Sequence, residues 1–244
     1  MRRAGASSLS DAVRQASVVR RRKLSARVSE LTLEVPGAPA FRWHAGQHLA
    51  IHLPGGVPTH GGPLWYSIAS AWDGTDPPRV RLAIGQGTGG ELLAPVREGD
   101  ELGISGPYGT FALPPTPAVL LVGVGTGVAP LRAFAEEALA GSADAKVTLL
   151  AGARTQDDLL WYDEFAALAA RNERFRYVPV LSRSETEWAG LAGYVQHHLA
   201  DEVSRLPSGF VVRACGSEAM VEAVLALLAE LGVPRERVET QSYS

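Results

Sequence analysis

The chain has 244 residues, more than one ordinary domain needs, so two cores are expected. Apolar residues make 46% and charged residues 20%, the balance of a globular protein, and a net charge of −3 gives no general pull toward nucleic acid. One cysteine, Cys215, excludes an internal disulfide framework, a thiolate-held iron–sulfur cluster and a cysteine-rich zinc site.

No apolar run approaches the ~18 residues of a membrane span, and no apolar core follows the N-terminal arginines to make a secretory signal. The chain therefore reads as cytoplasmic, with no membrane span and no nucleic-acid partner. Residues 1–16 are rich in Arg, Ser and Ala; we expect a mobile extension there, an organelle transit segment being the alternative. The run Arg20-Arg21-Arg22-Lys23 is either the solvated basic face of a strand or a docking patch for an acidic redox partner.

From Ser17 to Phe111 the pattern is β. Val28, Leu31, Leu33 and Val35 largely alternate, as do Leu49, Ile51 and Leu53, and Val80, Leu82 and Ile84. Turn clusters separate them, among them Pro36-Gly37, Pro54-Gly55-Gly56, Asp73-Gly74 and Gly99-Asp100. Short strands at this spacing predict an antiparallel sandwich or barrel. His44, His48 and His52 stand four apart, which suits a metal on a helix. On a strand His48 and His52 only share a face, and no acid or cysteine stands near, so no metal is expected.

The grammar changes after Pro114-Pro115-Thr116-Pro117, a stiff seam that divides 17–115 from 116–244. Strands at 119–122, 146–150, 175–181 and 210–214 then alternate with helices near 130–139, 160–171, 195–200 and 219–231. A last strand falls near Val238. Buried strands alternating with helices predict a parallel α/β sheet. Its first unit reads strand, Gly123-Val124-Gly125-Thr126-Gly127, then a helix from about Pro130. Free N–H groups and the positive end of a helix dipole there make an anion site. A third glycine at 128, which the usual G-x-G-x-x-G would need, is Val128.

A β-barrel followed by a parallel α/β domain that opens on G-x-G-x-G-x-x-P resembles the ferredoxin–NADP reductase superfamily. Further stretches fall in the same order: Gly46-Gln47 with Pro54, Tyr66-Ser67-Ile68-Ala69-Ser70, Gly87-Thr88-Gly89-Gly90 and Gly106-Pro107-Tyr108-Gly109-Thr110-Phe111. In the second half come Gly152-Ala153-Arg154, Leu181-Ser182-Arg183, Gly193-Tyr194-Val195 and Cys215-Gly216. The resemblance covers about residues 17–243 and implies a stand-alone two-domain reductase, since no C-x4-C-x2-C tail is present.

The resemblance implies FAD, with FMN as the alternative, and NADPH or NADH. Hydride would pass between two stacked planar rings, which tolerates little misplacement. Tyr66 would pack along the flavin, Ser67 would offer a hydroxyl near its reactive nitrogen, and Ile68, Ala83 and Ile84 would flank it. Gly89, Gly90 and the N–H of Glu91 would hold its phosphate. Gly125, Thr126, Gly127 and Pro130 would line the dinucleotide, with Cys215 and Gly216 beside the nicotinamide. Ser182 and Arg183, with Arg154, suit a 2′-phosphate, which favours NADPH. Tyr243, and more loosely Gln241 in place of a glutamate, would close the flavin site.

Leu64 is the main departure, because the family places there an arginine that pairs with the flavin phosphates. Losing it would cost on the order of 1.5–3 kcal/mol of binding unless Arg79, Arg81, His48 or His60 substitutes. The expected function is a flavoprotein reductase that takes hydride from NAD(P)H and passes electrons to a ferredoxin or oxygenase component. Two alternatives stay open: a flavin reductase that uses free flavin, and a nucleotide-binding or partner-docking module without turnover.

Overall fold

The structure is a computed structural model that describes residues 12–37, 41–53, 62–141, 143–184 and 187–243. The expectations placed on residues 1–11, Pro54-Gly55-Gly56 and His60 lie outside the described residues.

Alternation builds the first sheet. In β2 (Val28–Glu34) Leu31 and Leu33 turn inward, and in β5 (Arg79–Gly85) Val80, Leu82 and Ile84 do the same. With β1 (Arg14–Lys23), β3 (His48–His52), β4 (Leu64–Ser67) and β6 (Glu101–Tyr108) they form six antiparallel strands in the order β4-β3-β6-β1-β2-β5. The sheet curls until its edges meet at one bridge, Ile68 opposite Leu82, so it is barrel-like without a closed ladder. Its core joins Leu31, Leu49, Ile51, Ile68, Leu82 and Ile104 with their neighbours. Among the described residues one short helix, α1 (Thr88–Leu93), interrupts the β pattern. β1 begins at Arg14, inside the stretch read as an extension.

The second sheet is parallel throughout, in the order β10-β9-β8-β7-β11-β12. Its strands are β7 (Ala118–Val124), β8 (Lys146–Ala153), β9 (Phe175–Leu181), β10 (Leu191–Ala192), β11 (Val211–Ser217) and β12 (Val238–Tyr243). β7 is buried on both faces, which is why it reads as an unbroken apolar run. Val119 and Leu121 join the core under α2 (Val128–Gly141) and α3 (Tyr162–Arg171). Leu120 and Val122 join the core under α5 (Glu218–Glu230) and α4 (Leu199–Ser204). The chain leaves β7 for β8 and β9 on one side and returns to β11 on the other. β7 and β11 therefore flank the switch point where open α/β sheets present their crevice.

Two sequence expectations shift. The helix after the glycine loop starts at Val128, behind a 3-10 turn over Gly125–Gly127, rather than at Pro130. Pro130 still lies in the first turn, where its missing donor would be unpaired anyway. The basic run is neither a solvated face nor a free patch. Arg21 donates to the carbonyls of Leu93 at 2.9 Å and Ala94 at 3.1 Å, Arg22 pairs with Glu30 and Glu164, and only Arg20 and Lys23 stay exposed.

A charged network joins the two halves. Glu30, 1% exposed, accepts from Arg22 (3.0 Å), Arg81 (2.9 Å) and the Trp161 indole (2.6 Å). Burial would raise the Glu30 pKa, but the bonds from Arg22, Arg81 and Trp161 outweigh it and hold the carboxyl below its usual range. Glu164 is likewise held down, at about 2, because Arg22, Arg81 and Arg132 outweigh its desolvation. Trp161 carries a left-handed backbone (φ 54), unusual for a bulky residue, and its indole bond to Glu30 helps fix it there. Helix α2 is tied to the barrel as well: Arg132 donates to Ala69 O at 2.6 Å, Glu136 accepts from Ala71 N and Glu137 from Ala45 N. The helix that carries the glycine loop is thus fastened to the barrel.

Candidate active site

Two clefts meet at the glycine loop. The smaller, ≈290 Å³, lies at the barrel end and is walled by Tyr66, Ser67 and Ala83, by Gly89 and Gly90, and by Tyr243. Trp65, Gly85, Gln86, Gly87, Thr126 and Ala129 complete it. The larger, ≈590 Å³, opens over the carboxyl ends of the parallel strands and is lined by Gly125, Arg154, Ser182, Tyr194, Ser217 and Met220 among others. Gly125 faces the larger cleft while its neighbour Thr126 faces the smaller. The loop is their common wall.

Glycine is required in this loop by close approach. A Cβ on Gly127 would run into the backbone carbonyl of Cys215, and one on Gly123 would meet Leu131 at 2.5 Å. Gly127 therefore brings the loop against the end of β11, whose Cys215 pairs with Gly123 across the switch point. The smaller cleft shows the same need. A Cβ on Gly89 would lie 2.6 Å from the Tyr66 hydroxyl, and one on Gly90 would strike the Gly85 carbonyl.

Ser67, Tyr243 and Cys215 form a connected trio. The Ser67 and Tyr243 hydroxyls lie 2.7 Å apart, and Tyr243 also hydrogen-bonds Cys215, which is fully buried. Burial pushes the Cys215 thiol up to about 12, against the lesser opposing effect of Tyr243, so it stays a neutral thiol and not a nucleophile. Tyr243 is 36% exposed, yet its hydroxyl is bonded to Ser67 and Cys215. Desolvation, with Cys215 beside it, holds that phenol protonated well above its ordinary value. Burial raises Tyr66 to about 12 as well. The described lining of the small cleft thus carries no charged side chain at neutral pH: its polar groups are hydroxyls, the Trp65 indole, the Gln86 amide and backbone.

Of the residues singled out from the sequence, the small cleft gathers Tyr66, Ser67, Ala83, Gly89, Gly90, Tyr243 and Thr126. Ile68 and Ile84 turn instead into the barrel core, because alternation along β5 and the residue after β4 sends them to its inner face. The N–H of Glu91 is spent on Gly87 O at 2.9 Å. The donors left at that turn are those of Thr88, Gly89 and Gly90, which precede the first intrahelical bond. The large cleft gathers Gly125, Arg154 and Ser182. Pro130 is buried inside α2 and Arg183 is exposed outside the cleft lining. Gly127, Cys215 and Gly216 support the loop from beneath and do not line either cleft.

Arg79 pairs with Glu34 at 2.9 Å and Arg81 is committed to Glu30 and Glu164, so neither substitutes for the family arginine. His48 packs edge-on against Trp65 (5.4 Å) and lies 6.0 Å from Tyr108, and burial lowers its pKa, leaving it neutral. His52 bonds Ser105 at 2.8 Å and His44 faces Glu137, so the three histidines point to separate partners. Among the described residues the small cleft has no Lys or Arg in its lining.

A parallel sheet with a glycine loop at its switch point, joined to an antiparallel barrel with a neutral cleft, defines a two-domain nucleotide oxidoreductase. The oxidoreductase NAD-binding domain model matches residues 121–226. The chain is 39% identical over 245 residues to ferredoxin–NADP reductase B of Sorangium cellulosum, covering 94% of this chain and 97% of that one. It is 31% identical over 217 residues to the reductase subunit of an Amycolatopsis aromatic O-demethylase, covering 85% of this chain and 63% of the subunit. It thus spans nearly all of the first relative and under two thirds of the second. An Amycolatopsis cytochrome P450 reductase of solved structure superposes with a TM-score of 0.79 at 28% identity, over 94% of this chain and 70% of that one. The chain belongs to the ferredoxin–NADP reductase family. It is accordingly an NAD(P)H-dependent oxidoreductase, and the reading as a module without turnover falls away. Among the described residues no helix is long and apolar enough to cross a membrane.

Proposed function

We propose that this chain is a flavoprotein reductase that moves reducing equivalents from NADPH to a separate acceptor protein, a ferredoxin or an oxygenase component, in the cytoplasm. One observation carries the reading: the glycine loop is a wall of both clefts, so a ligand in each would meet across Gly125 and Thr126. Membership beside reductase subunits supports a protein acceptor. Residues 17–115 would supply most of the flavin cleft and 116–244 the dinucleotide cleft.

The small cleft fits a flavin on three counts. Gly89 and Gly90 let the start of α1 lie close against Tyr66 and the Gly85 carbonyl, backbone donors stand at that start, and Tyr66 offers an aromatic wall. FAD is the flavin we assign, with FMN as the alternative. When bound, the flavin supplies a two-electron acceptor that can release electrons singly.

The residues do the rest. Tyr66 and the glycines orient the flavin, and the Ser67–Tyr243 pair holds a proton-bearing hydroxyl at the junction. Tyr243 shields that junction from water. Cys215, neutral and buried, sets the floor under the loop without chemistry of its own. Arg154 and Ser182 bind the adenosine end of the dinucleotide, with a preference for the 2′-phosphate.

A specific observation also favours the second reading, a flavin reductase: with no cation in the described lining, the small cleft grips a flavin phosphate weakly. The test is NADPH-driven reduction of a ferredoxin by protein loaded with FAD and freed of excess flavin. Turnover supports the protein-acceptor reading. Turnover that needs added free flavin, and follows its concentration, supports the flavin reductase.

A further inference from the structure

We propose that Arg27, on the first hairpin turn of the barrel, is a phosphate contact for the dinucleotide and reaches it from the opposite domain. The inference rests on the reading of the larger cleft as the dinucleotide site.

The turn between β1 and β2 is built to be rigid. The N–H groups of Leu24 and Ser25 both donate to Val28 O, at 2.9 and 3.1 Å, and Arg27 N donates to Ser25 Oγ at 3.1 Å. Ser25, Arg27 and Val28 then line the ≈590 Å³ cleft together with Gly125 and Arg154. Nearby arginines of the barrel are spent: Arg21 on helix carbonyls, Arg22 and Arg81 on Glu30 and Glu164. Arg27 is different. It is exposed and its guanidinium makes no ion pair among the described residues. An unpaired guanidinium in a cleft wall is a cation for an anionic ligand.

Its place along the cleft follows from the strands. Val28 pairs with Gly85, and a Cβ on Gly85 would lie 3.1 Å from Thr126 of the glycine loop, so the turn stands at the loop end. Arg154 and Ser182 follow β8 and β9, one and two strands away from β7. Strand spacing puts them roughly 5 and 10 Å further along the sheet. Arg27 therefore meets the pyrophosphate, which NADPH and NADH share, while Arg154 and Ser182 meet the adenosine end, where the two differ. The barrel would hold one end of the dinucleotide's charge and the sheet the other.

The test is calorimetric binding of NADP+ and NAD+ to the flavin-loaded wild-type protein and to Arg27→Ala and Arg27→Lys, each checked by circular dichroism. Because Arg27 is exposed and its guanidinium has no partner among the described residues, the variants are expected to fold. Loss of a partly solvated charge-assisted bond should raise both dissociation constants by a similar ~tenfold, with most of the affinity kept in Arg27→Lys. Arg154→Ala should by contrast weaken NADP+ more than NAD+. An unchanged affinity in Arg27→Ala overturns the inference, as does a loss confined to NADP+, which would move Arg27 to the 2′-phosphate. A wild-type protein that binds neither nucleotide overturns the reading of the cleft and this inference with it.

Discussion

In the proposed function, the two clefts on either side of the glycine loop each hold a phosphate-bearing ligand, and they would do so in different ways. The larger is lined by two arginines, Arg27 and Arg154, from different halves of the molecule. The smaller has no described cation in its wall and would rely on the backbone N–H groups at the start of α1. Backbone donors give shape selectivity and are insensitive to salt, whereas arginines give long-range attraction that salt screens. The difference follows from where the remaining arginines went. Arg22, Arg81 and Arg132 are bound up in the network around Glu30 and Glu164 that fixes one half against the other.

Breaking the loop they share should have the largest effect. Gly127→Val would drive a side chain into the Cys215 backbone and push the loop out of both clefts. A displacement of ~1 Å at reacting partners costs ~100-fold, so NADPH oxidation should fall at least that far in a variant that still folds. Next comes Leu64→Arg, which restores a cation beside Gly89. Fluorescence titration should show FAD bound ~10–100-fold more tightly, with little change for the dinucleotide.

The network that joins the halves predicts a stability effect. Glu30→Gln leaves three donors and two cations around an uncharged, buried amide, and should cost ~3 kcal/mol, read as a lower melting temperature at neutral pH. The folded-state pKa values of Glu30 and Glu164 are both depressed, Glu164 to about 2. Their contribution is therefore complete above the ordinary carboxylate value and is lost as pH falls toward 2. Wild-type melting temperatures should drop through that window, and Glu30→Gln should drop less. The smallest effect is the sharpest for the comparison of the clefts. Raising salt should weaken dinucleotide binding several-fold while leaving flavin affinity almost unchanged.

Much of this molecule was legible in its sequence. The unbroken apolar run of β7, the glycines after it and the alternation in β2 and β5 each arise from local geometry, so their elements appear where the pattern places them. Ser67, Tyr66 and the Gly89–Gly90 turn also fall in one cleft, since a strand and a short loop fix them. The partners of charges were not legible. Glu30 and Trp161 are 131 positions apart and meet only because two sheets dock. Arg81 looked free for a phosphate because nothing near it in sequence reveals Glu164. Ile68 and Ile84 were assigned to the flavin, but the inward face of a curled sheet claims them. Arg27 is not legible either, because an exposed arginine on a hairpin turn carries no pattern; only the cleft beside it marks it out.

The most direct test of the account is anaerobic mixing of FAD-loaded protein with NADPH while the yellow absorption of the bound flavin is followed, in wild type and in Gly127→Val. The account predicts that the wild-type flavin bleaches fully with one equivalent of NADPH, and that the variant, even when saturated with both ligands, bleaches far more slowly. A bound flavin that stays yellow in the wild type, or a Gly127→Val variant that bleaches as fast, would contradict the assignment of the glycine loop as the junction of the two sites.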